Sequence, residues 1–530
     1  MKTPWLSLLS ILVILLLGTF GCYPNFEATE LKRESLSTKL SSVWPTKAYL
    51  VDASVVLFPS GFLARGDTVI GQGQRVYLDR LGQSGRQWRI PLDSILAMTS
   101  YESKTSAGRG IASFLLGLTG SIMTPLSIYC VSCPKCCFGS CPTVYVMDSA
   151  GATMQAELFS HSISRLLEAE DLDKLECNTG KGKDVELLVT NEALETHYIK
   201  RFSLLAVSHP PGTTVLPSAD NRFVTIRDIH PPLHAVTREG TDILAQLAHT
   251  DSLTYRTGID RFAELADKGA PDEIVVSDSV PPGTTNITLV IRLRNTLLST
   301  ILFYDVVLGS QGIEALNWNH RMDTDEEYAA QFKQVYDTFS GLGISVQQDG
   351  KWVQVARIKD VGPITWKTVA SAIPVPRSGP VKVRLRSFPD NFIIDQVGFS
   401  MRKGEAEAAQ TEELVPRRIV DDSAQEREDI RGQLARHDGS YLVTNPGESY
   451  RFTYHLTPPS GSEVSLFIQS QGYYTEWIRG NWLRASREGY RFDLSRIDEV
   501  LSQLGVSWIR GKDDIEHRFF QTRIPLRSSR

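Results

Sequence analysis

Two stretches of this chain alternate apolar and polar residues with a period of two. Ile287, Leu289, Ile291 and Leu293 are separated by Thr288, Val290 and Arg292, and Val381, Val383 and Leu385 by Lys382 and Arg384. Successive side chains of a strand point to opposite faces, so this spacing predicts strands with one buried face. The runs from Val185 to Thr190 and from Phe202 to Val207 add further strands. So do the alternation of Tyr450, Phe452 and Tyr454 and the run from Val464 to Ile468. Nearer the N-terminus, Ser54 to Phe58, Arg75 to Leu78 and Trp88 to Ile90 are short β-type runs parted by turn-formers such as Pro59-Ser60-Gly61 and Ser84-Gly85. Helical spacing is rarer. Tyr328, Phe332, Val335 and Phe339 share one helical face, Gly341 stops it, and Thr324 with Glu327 forms a capping box before it. Leu494, Ile497, Leu501 and Leu504, following Asp493, predict another helix. The expected fold class is mainly β and multi-domain, with β-sandwich or jelly-roll-like modules and a few amphipathic helices.

Two apolar stretches break this pattern. Leu6 to Phe20 is almost unbroken, follows the basic Lys2, and ends at Gly21-Cys22. Charge, a short apolar run, then a small residue is the order of an export signal rather than a folded helix. A cysteine directly after the small residue points to bacterial lipoprotein processing, with Cys22 acylated and left as the new N-terminus. Thr19 and Phe20 depart from the usual box, which carries Leu three residues before the cysteine. The second stretch, Ile111 to Tyr129, carries no charge and repeats small residues at Ser113, Gly117 and Ser121. That spacing lets a helix or backbone approach closely, and the length nears the roughly 20 residues that span a bilayer. Pro125 interrupts it, so this Gly/Ser-rich apolar helical segment is read as a buried hairpin, with bilayer contact as the alternative.

The resulting organisation is a signal peptide over 1–21, a flexible tether over 22–45 and a small β-barrel-like domain over 46–104. The apolar segment and a cysteine cluster occupy 105–145, and a β-sandwich or jelly-roll-like region 146–400. A charged linker follows over 401–436, then a C-terminal α+β domain over 437–530. With 530 residues and 42% hydrophobic ones there is material for several cores. A net charge of -5, with no basic stripe, argues against nucleic acid as a partner.

Of seven cysteines, six remain beyond Cys22: Cys130, Cys133, Cys136, Cys137, Cys141 and Cys177. Thiolates two residues apart can share zinc or an iron–sulfur cluster. The ferredoxin spacing fails, because four residues separate Cys136 from Cys141. In an exported chain an even cysteine count favours disulfides, and a four-cysteine zinc site is the alternative.

The string Cys137-Phe138-Gly139-Ser140-Cys141-Pro142-Thr143 with Tyr145 resembles a segment of uncharacterised exported lipoproteins of Gram-negative bacteria. Leu204 to Val207 with His209-Pro210-Pro211-Gly212, and Tyr473 to Trp477, are similar to the same group. This resemblance implies location and architecture and carries no catalytic residues. Val381 to Arg386 with Phe392 to Phe399 resembles the closing strands of galactose-binding-like jelly rolls, folds that bind carbohydrate or protein or only provide structure.

Candidate chemistry is sparse. Asp323, Asp325, Glu326 and Glu327 lack the glycine and spacing of a calcium loop and read as helix-start acids. Pro231-Pro232 between His230 and His234 forbids the helix that would put both imidazoles on one face. Tyr473, Tyr474, Trp477 and Trp482 are the candidates for stacking on a ligand, with core packing as the base case. No P-loop, nucleophile-elbow or zinc-protease pattern occurs, and no cofactor is expected. The sequence therefore predicts a lipid-anchored protein of the bacterial cell envelope, on the periplasmic or surface face of the outer membrane. Its role is structural or binding rather than enzymatic, and its partners are the membrane through the lipid, envelope proteins, or glycans. Carbohydrate binding is the runner-up, and an enzyme of unrecognised type stands third.

Overall fold

The computed structural model describes residues 26–512 apart from 32–40, 44–45, 51–54, 59–60, 77–82, 104–140, 149–150, 177–183, 192–194, 252, 375–377, 403–408, 422–423, 436–439, 445–447, 477–491, 498, 502–503, 506–507 and 510. The signal peptide, Cys22, the apolar segment from Ile111, Cys130, Cys133, Cys136, Cys137, Cys177, Trp477 and Trp482 lie outside the described residues. The chain divides into two compact units, residues 1–76 with 83–120, and residues 77–82 with 121–530.

The N-terminal unit is one eight-stranded antiparallel sheet in which Thr68–Val76 pairs with Val55–Phe58, Phe62–Arg65 and Gln83–Pro91. Its inner face buries Ala48, Val56, Phe58, Val69, Ile90 and Met98. The Ser42 hydroxyl lies 3.1 Å from that of Ser100, although their strands sit at or next to opposite ends of the sheet order, so the sheet curls toward a barrel. Gly61 is required there, because a Cβ would fall 1.9 Å from the Ser42 carbonyl oxygen. The expected tether contributes to this sheet. Phe26–Leu31 pairs along its whole length with Ile95–Ser103, and Ser41–Ser42 pairs with Phe62–Arg65. Polar composition hid these strands, since an edge strand needs only one covered neighbour.

The second unit holds two β-sandwiches. One sheet of the first runs Gly151–Glu157, Thr143–Asp148, Asp184–Thr190, Ser449–His455, Arg418–Asp421 in spatial order. The sheet packed against it runs Ala169–Leu175, Glu463–Glu476, Glu195–His209, Gln410–Leu414, with Leu442–Thr444 also on Glu195–His209. The second sandwich has a five-stranded sheet, His234–Thr237, Asp272–Val280, Gly379–Ser387, Leu342–Gln348, Lys351–Ile358. It faces a three-stranded one, Lys367–Ile373, Asn286–Asn295, Phe392–Arg402. The chain thus leaves the first sandwich after His209, builds the second, and returns at Gln410. A hairpin of Thr214–Pro217 and Phe223–Ile226 covers the three-stranded sheet by setting Leu216 and Ile226 on Val290 and Ala370.

Between Asn286–Asn295 and Leu342–Gln348 the chain turns helical. Leu298–Ile301 runs into a wide π-helical stretch, Leu302–Leu308, and then into the helices Ala315–Thr324 and Glu326–Ser340. Their apolar faces pack on the first sandwich: Phe303, Trp318, Phe332 and Phe339 share a core with Val144, Leu187, Phe452 and Ile468. Gly341 follows the last helix, as the sequence predicts, but the cap is Asp325, whose carboxylate accepts from the Tyr328 amide at 3.0 Å, and not the Thr324–Glu327 box. The fully buried aromatic beside Phe332 and Phe339 is Tyr336, with Val335 only half-buried.

Two expected boundaries have no counterpart in the sheets. The supposed linker over 401–436 carries Gln410–Leu414, Arg418–Asp421 and the helix Glu428–Ala435. The supposed C-terminal domain over 437–530 supplies interior strands to both sheets of the first sandwich: Ser449–His455 lies between Asp184–Thr190 and Arg418–Asp421, and Glu463–Glu476 between Ala169–Leu175 and Glu195–His209. Beyond them Val500, Leu504 and Trp508 are buried in the same core. A charged stretch can form edge strands and an exposed helix as readily as a linker, because each needs only one apolar side.

Candidate functional site

A group of buried ionisable side chains lies where the two sandwiches meet. Asp171 and Asp173 alternate with Leu172 on Ala169–Leu175, so both carboxylates leave the same face of that strand. Opposite them, Lys367 opens the strand Lys367–Ile373 of the second sandwich. Its Nζ lies 2.7 Å from Asp171 Oδ1 and 2.8 Å from Asp173 Oδ1. Next to this triad sits His161, 7% exposed, with neither ring nitrogen hydrogen-bonded among the described residues.

Burial and charge set the protonation of the group. Burial opposes the Asp171 carboxylate, but the Lys367 ammonium and its hydrogen bond outweigh that and hold the acid below its ordinary range. Asp173 is pushed up to about 7, first by burial and then by repulsion from Asp171. Burial lowers His161 to about 4, which leaves the imidazole neutral across the neutral range. Lys367 stays charged between its two acids despite burial. A shallow cleft of about 40 Å³ opens beside these groups, lined by His161, Asp171, Ser218, Asn221, Lys359 and Lys367 among others. That is room for one or two waters.

A second polar cavity, about 30 Å³, lies deeper and is lined by Cys141, Glu157, Tyr304, Tyr336, Asp360 and Tyr474 among others. Tyr336 donates to Asp360 at 3.1 Å, and burial raises the Asp360 pKa. Glu157 Oε2 accepts from the amides of Ile364 and Thr365 at 2.8 and 3.1 Å. This contact needs Gly362, which has φ +85° and where a Cβ would fall 2.7 Å from Glu157 Oε2. Further out, Asp390 accepts from Arg256 at 2.8 Å, from Trp508 at 2.7 Å and from Lys512 at 2.6 Å, which ties the C-terminal segment to the second sandwich. All but the Tyr336–Asp360 bond join segments more than a hundred residues apart in the chain. Their chemistry is that of clamps, with acids neutralised by cations or by amide donors.

No family model matches the chain, and no curated protein matches it. Among solved structures it is similar to the C-terminal CBM6 of LamC, a marine laminarinase from Zobellia galactanivorans, at 9% identity over 37% of this chain and 98% of that one, with a TM-score of 0.13. It is also similar to the N-terminal CBM22 tandem domain of Xyn10C from Paenibacillus barcinonensis, at 10% identity over 53% of this chain and 94% of that one, TM-score 0.18. An exo-β-1,3-galactanase from Phanerochaete chrysosporium matches at 8% identity over 68% of this chain and 69% of that one, TM-score 0.16.

The residues singled out from sequence fall elsewhere. Tyr473 is buried and stacked on Tyr198, with ring centroids 4.5 Å apart and planes inclined at 11°. Tyr474 is buried and donates to the Ser160 carbonyl at 3.0 Å. Neither ring is open to a ligand, so core packing is their role. Cys141, expected to be oxidised, carries a free and buried thiol, and burial with the nearby Glu195 and Glu157 raises its pKa well above the ordinary value. Among the described residues it has no cysteine partner, and the other five cysteines of the cluster lie outside them. His230 Nε2 lies 3.0 Å from Asp278 Oδ2, while His234 begins a strand and is exposed, so the pair forms no joint site. Asp171, Asp173, Lys367 and His161 were missed. The available signal was a pair of acids at the inward positions of a strand-like run, Ala169 to Leu175, where burial is affordable only with a cation opposite.

Proposed function

We propose that the protein is a lipid-anchored component of the bacterial cell envelope that acts as a rigid structural or binding scaffold and not as an enzyme. The observation that supports this reading best is the bridge from Lys367 to Asp171 and Asp173. Three of the four buried ionisable groups at that seam are consumed in joining two sandwiches, and the cleft beside them is small against the roughly 300 Å³ of an ordinary ligand pocket. The anchor rests on the order Lys2, Leu6 to Phe20, Gly21, Cys22. Expression of Cys22→Ala tests it. The variant should take up no radiolabelled palmitate and should leave the membrane pellet, while wild type does both the reverse. A variant that pellets as fully as wild type removes Cys22 as the anchor and turns attention to the segment from Ile111.

Carbohydrate binding is the second reading. It is favoured by a tryptophan, Trp352, that lies half-exposed beneath the Arg384 guanidinium rather than inside a core.

A further inference from the structure

Along Gly379–Ser387 the inward Val381, Val383 and Leu385 alternate with Lys382, Arg384 and Arg386, which therefore share the outer face of the five-stranded sheet. Alternate residues of a strand stand about 7 Å apart on one face, so the three cations form a row about 13 Å long. Register extends this face sideways. Arg384 is paired with Ser345, Ser345 with Gln354, and Gln347 with Trp352. The Arg384 guanidinium lies 4.9 Å from the Trp352 ring centroid, and its Nε has no hydrogen-bond partner among the described residues. Among the described residues one acid serves the row. Glu273 lies 3.6 Å from both Arg384 and Arg386, too far for a firm charge-assisted bond to either. The Arg386 side chain is 54% exposed, and Lys382 and Gln354 are exposed as well. This excess of positive charge stands on a chain whose net charge is -5.

We propose that this face binds an acidic glycan, a linear polymer of carboxylate-bearing sugar units, with the part of the Trp352 ring that Arg384 leaves open against one sugar ring and Lys382, Arg384 and Arg386 on successive carboxylates. The inference deepens the carbohydrate reading above and rests on it. A planar guanidinium matches a carboxylate with two parallel N–H donors, and its stacking on Trp352 holds that fork in place before the ligand arrives. An indole ring offers flat apolar area to the C–H face of a pyranose, while Gln347 and Gln354 flank it with groups that can serve hydroxyls. A row of cations on a flat sheet suits an extended polyanion better than a compact one.

Affinity electrophoresis of the full chain through gels containing polygalacturonate, neutral dextran or inorganic polyphosphate tests this. Polygalacturonate should retard the protein and dextran should not. Trp352→Ala and Arg384→Gln should each weaken retardation about tenfold, the scale of one stacking or charge-assisted contact. Trp352→Phe should retain most of it and so controls for folding. Salt at about 1 M, where the screening length falls to about 3 Å, should abolish it. Equal retardation by dextran that needs Trp352 but not Arg384 would overturn the acidic specificity and keep the carbohydrate reading. Polyphosphate retarding as strongly, with no dependence on Trp352, would overturn the proposal in favour of a generic polyanion patch. No retardation by either glycan would overturn both readings.

Discussion

The two sandwiches of the larger unit fill the space between their sheets with different materials. The second is almost wholly aliphatic inside: Ile274, Val276, Ile287, Leu289, Ile291, Val346, Val383 and Leu385 meet across its middle. That sandwich also buries acids, Asp272, Asp278, Asp390 and Asp395, each beside a cation or an imidazole, while Arg384 and Glu273 stand on its outer face. The first sandwich buries Glu157, Asp171, Asp173, Glu195, His197 and Glu476 beside its apolar core. His197 Nε2 lies 2.8 Å from Glu195 Oε1 with both side chains inaccessible, and the Tyr304 hydroxyl donates to Glu476 at 2.5 Å. The difference follows the path of the chain. Both sheets of the second sandwich come from one continuous segment, 234–402. The first is assembled from segments more than two hundred residues apart, and it receives a helical insertion from its neighbour. Apolar contact is non-directional and tolerates small slips, whereas a buried ion pair or amide–carboxylate bond is satisfied in one register only. In the first sandwich the Lys367 bridge to Asp171 and Asp173, the Glu157 bonds to the Ile364 and Thr365 amides and the Tyr304–Glu476 bond stand where distant pieces must be set in register.

The largest effect should come from cutting the chain after residue 436. That removes Ser449–His455 and Glu463–Glu476, interior strands of both sheets of the first sandwich. The truncated protein should lose a cooperative unfolding transition by urea and tryptophan fluorescence, and the fragment 437–530 alone should show none. A cooperative melt of that isolated fragment would restore an independent C-terminal domain and break the comparison.

Replacing Lys367 with Met should destabilise by about 3–5 kcal/mol, because it strands two buried carboxylates without their cation. The same change at Arg384, on an exposed face, should cost under about 1 kcal/mol. Combining Lys367→Met with Asp171→Leu and Asp173→Asn should recover much of the first loss. Urea midpoints at neutral pH measure all three, and equal losses at Lys367 and Arg384 would erase the contrast between buried and outer charge.

The third effect is spread over several pH units and so is smaller at any one pH. Asp173 titrates near 7 in the folded chain, above its unfolded value, so it binds more protons folded than unfolded and its contribution to stability falls as pH rises from about 4 to 7. His161 titrates near 4, below its unfolded value, so its contribution falls as pH drops from about 6.5 to 4. The two slopes oppose each other over most of that window. Asp173→Asn should therefore give a Tm that climbs with pH between about 4 and 6.5, and His161→Gln one that declines toward pH 7. At about 1.36 kcal/mol per pH unit, each limb should be at most about 3–4 kcal/mol. Parallel Tm profiles for wild type and both variants would show that neither group changes its protonation on folding.

Much of the second sandwich was readable in advance. The alternations at Ile287 to Leu293 and Val381 to Leu385 became strands with those residues inward, and Leu504 proved to be core. The candidate site was not readable. The triad of Asp171, Asp173 and Lys367 requires a contact across about 195 positions of sequence, and no periodicity within either strand announces the partner. Aromatic residues misled for a related reason. Tyr473 and Tyr474 look like ligand platforms in a linear reading, and only the neighbouring strand Glu195–His209 shows that they are covered.

Period-two patterning by itself determined that this protein is mostly β-structure with amphipathic helices, because each strand must bury one face whatever its neighbours are. Tertiary structure alone decided which strands pair, that the C-terminal strands belong in the middle of the first sandwich, and which charges are buried and neutralised there. Those outcomes depend on hydrogen-bond register and on desolvation against a specific partner. Both are properties of two segments together, and neither segment carries them alone.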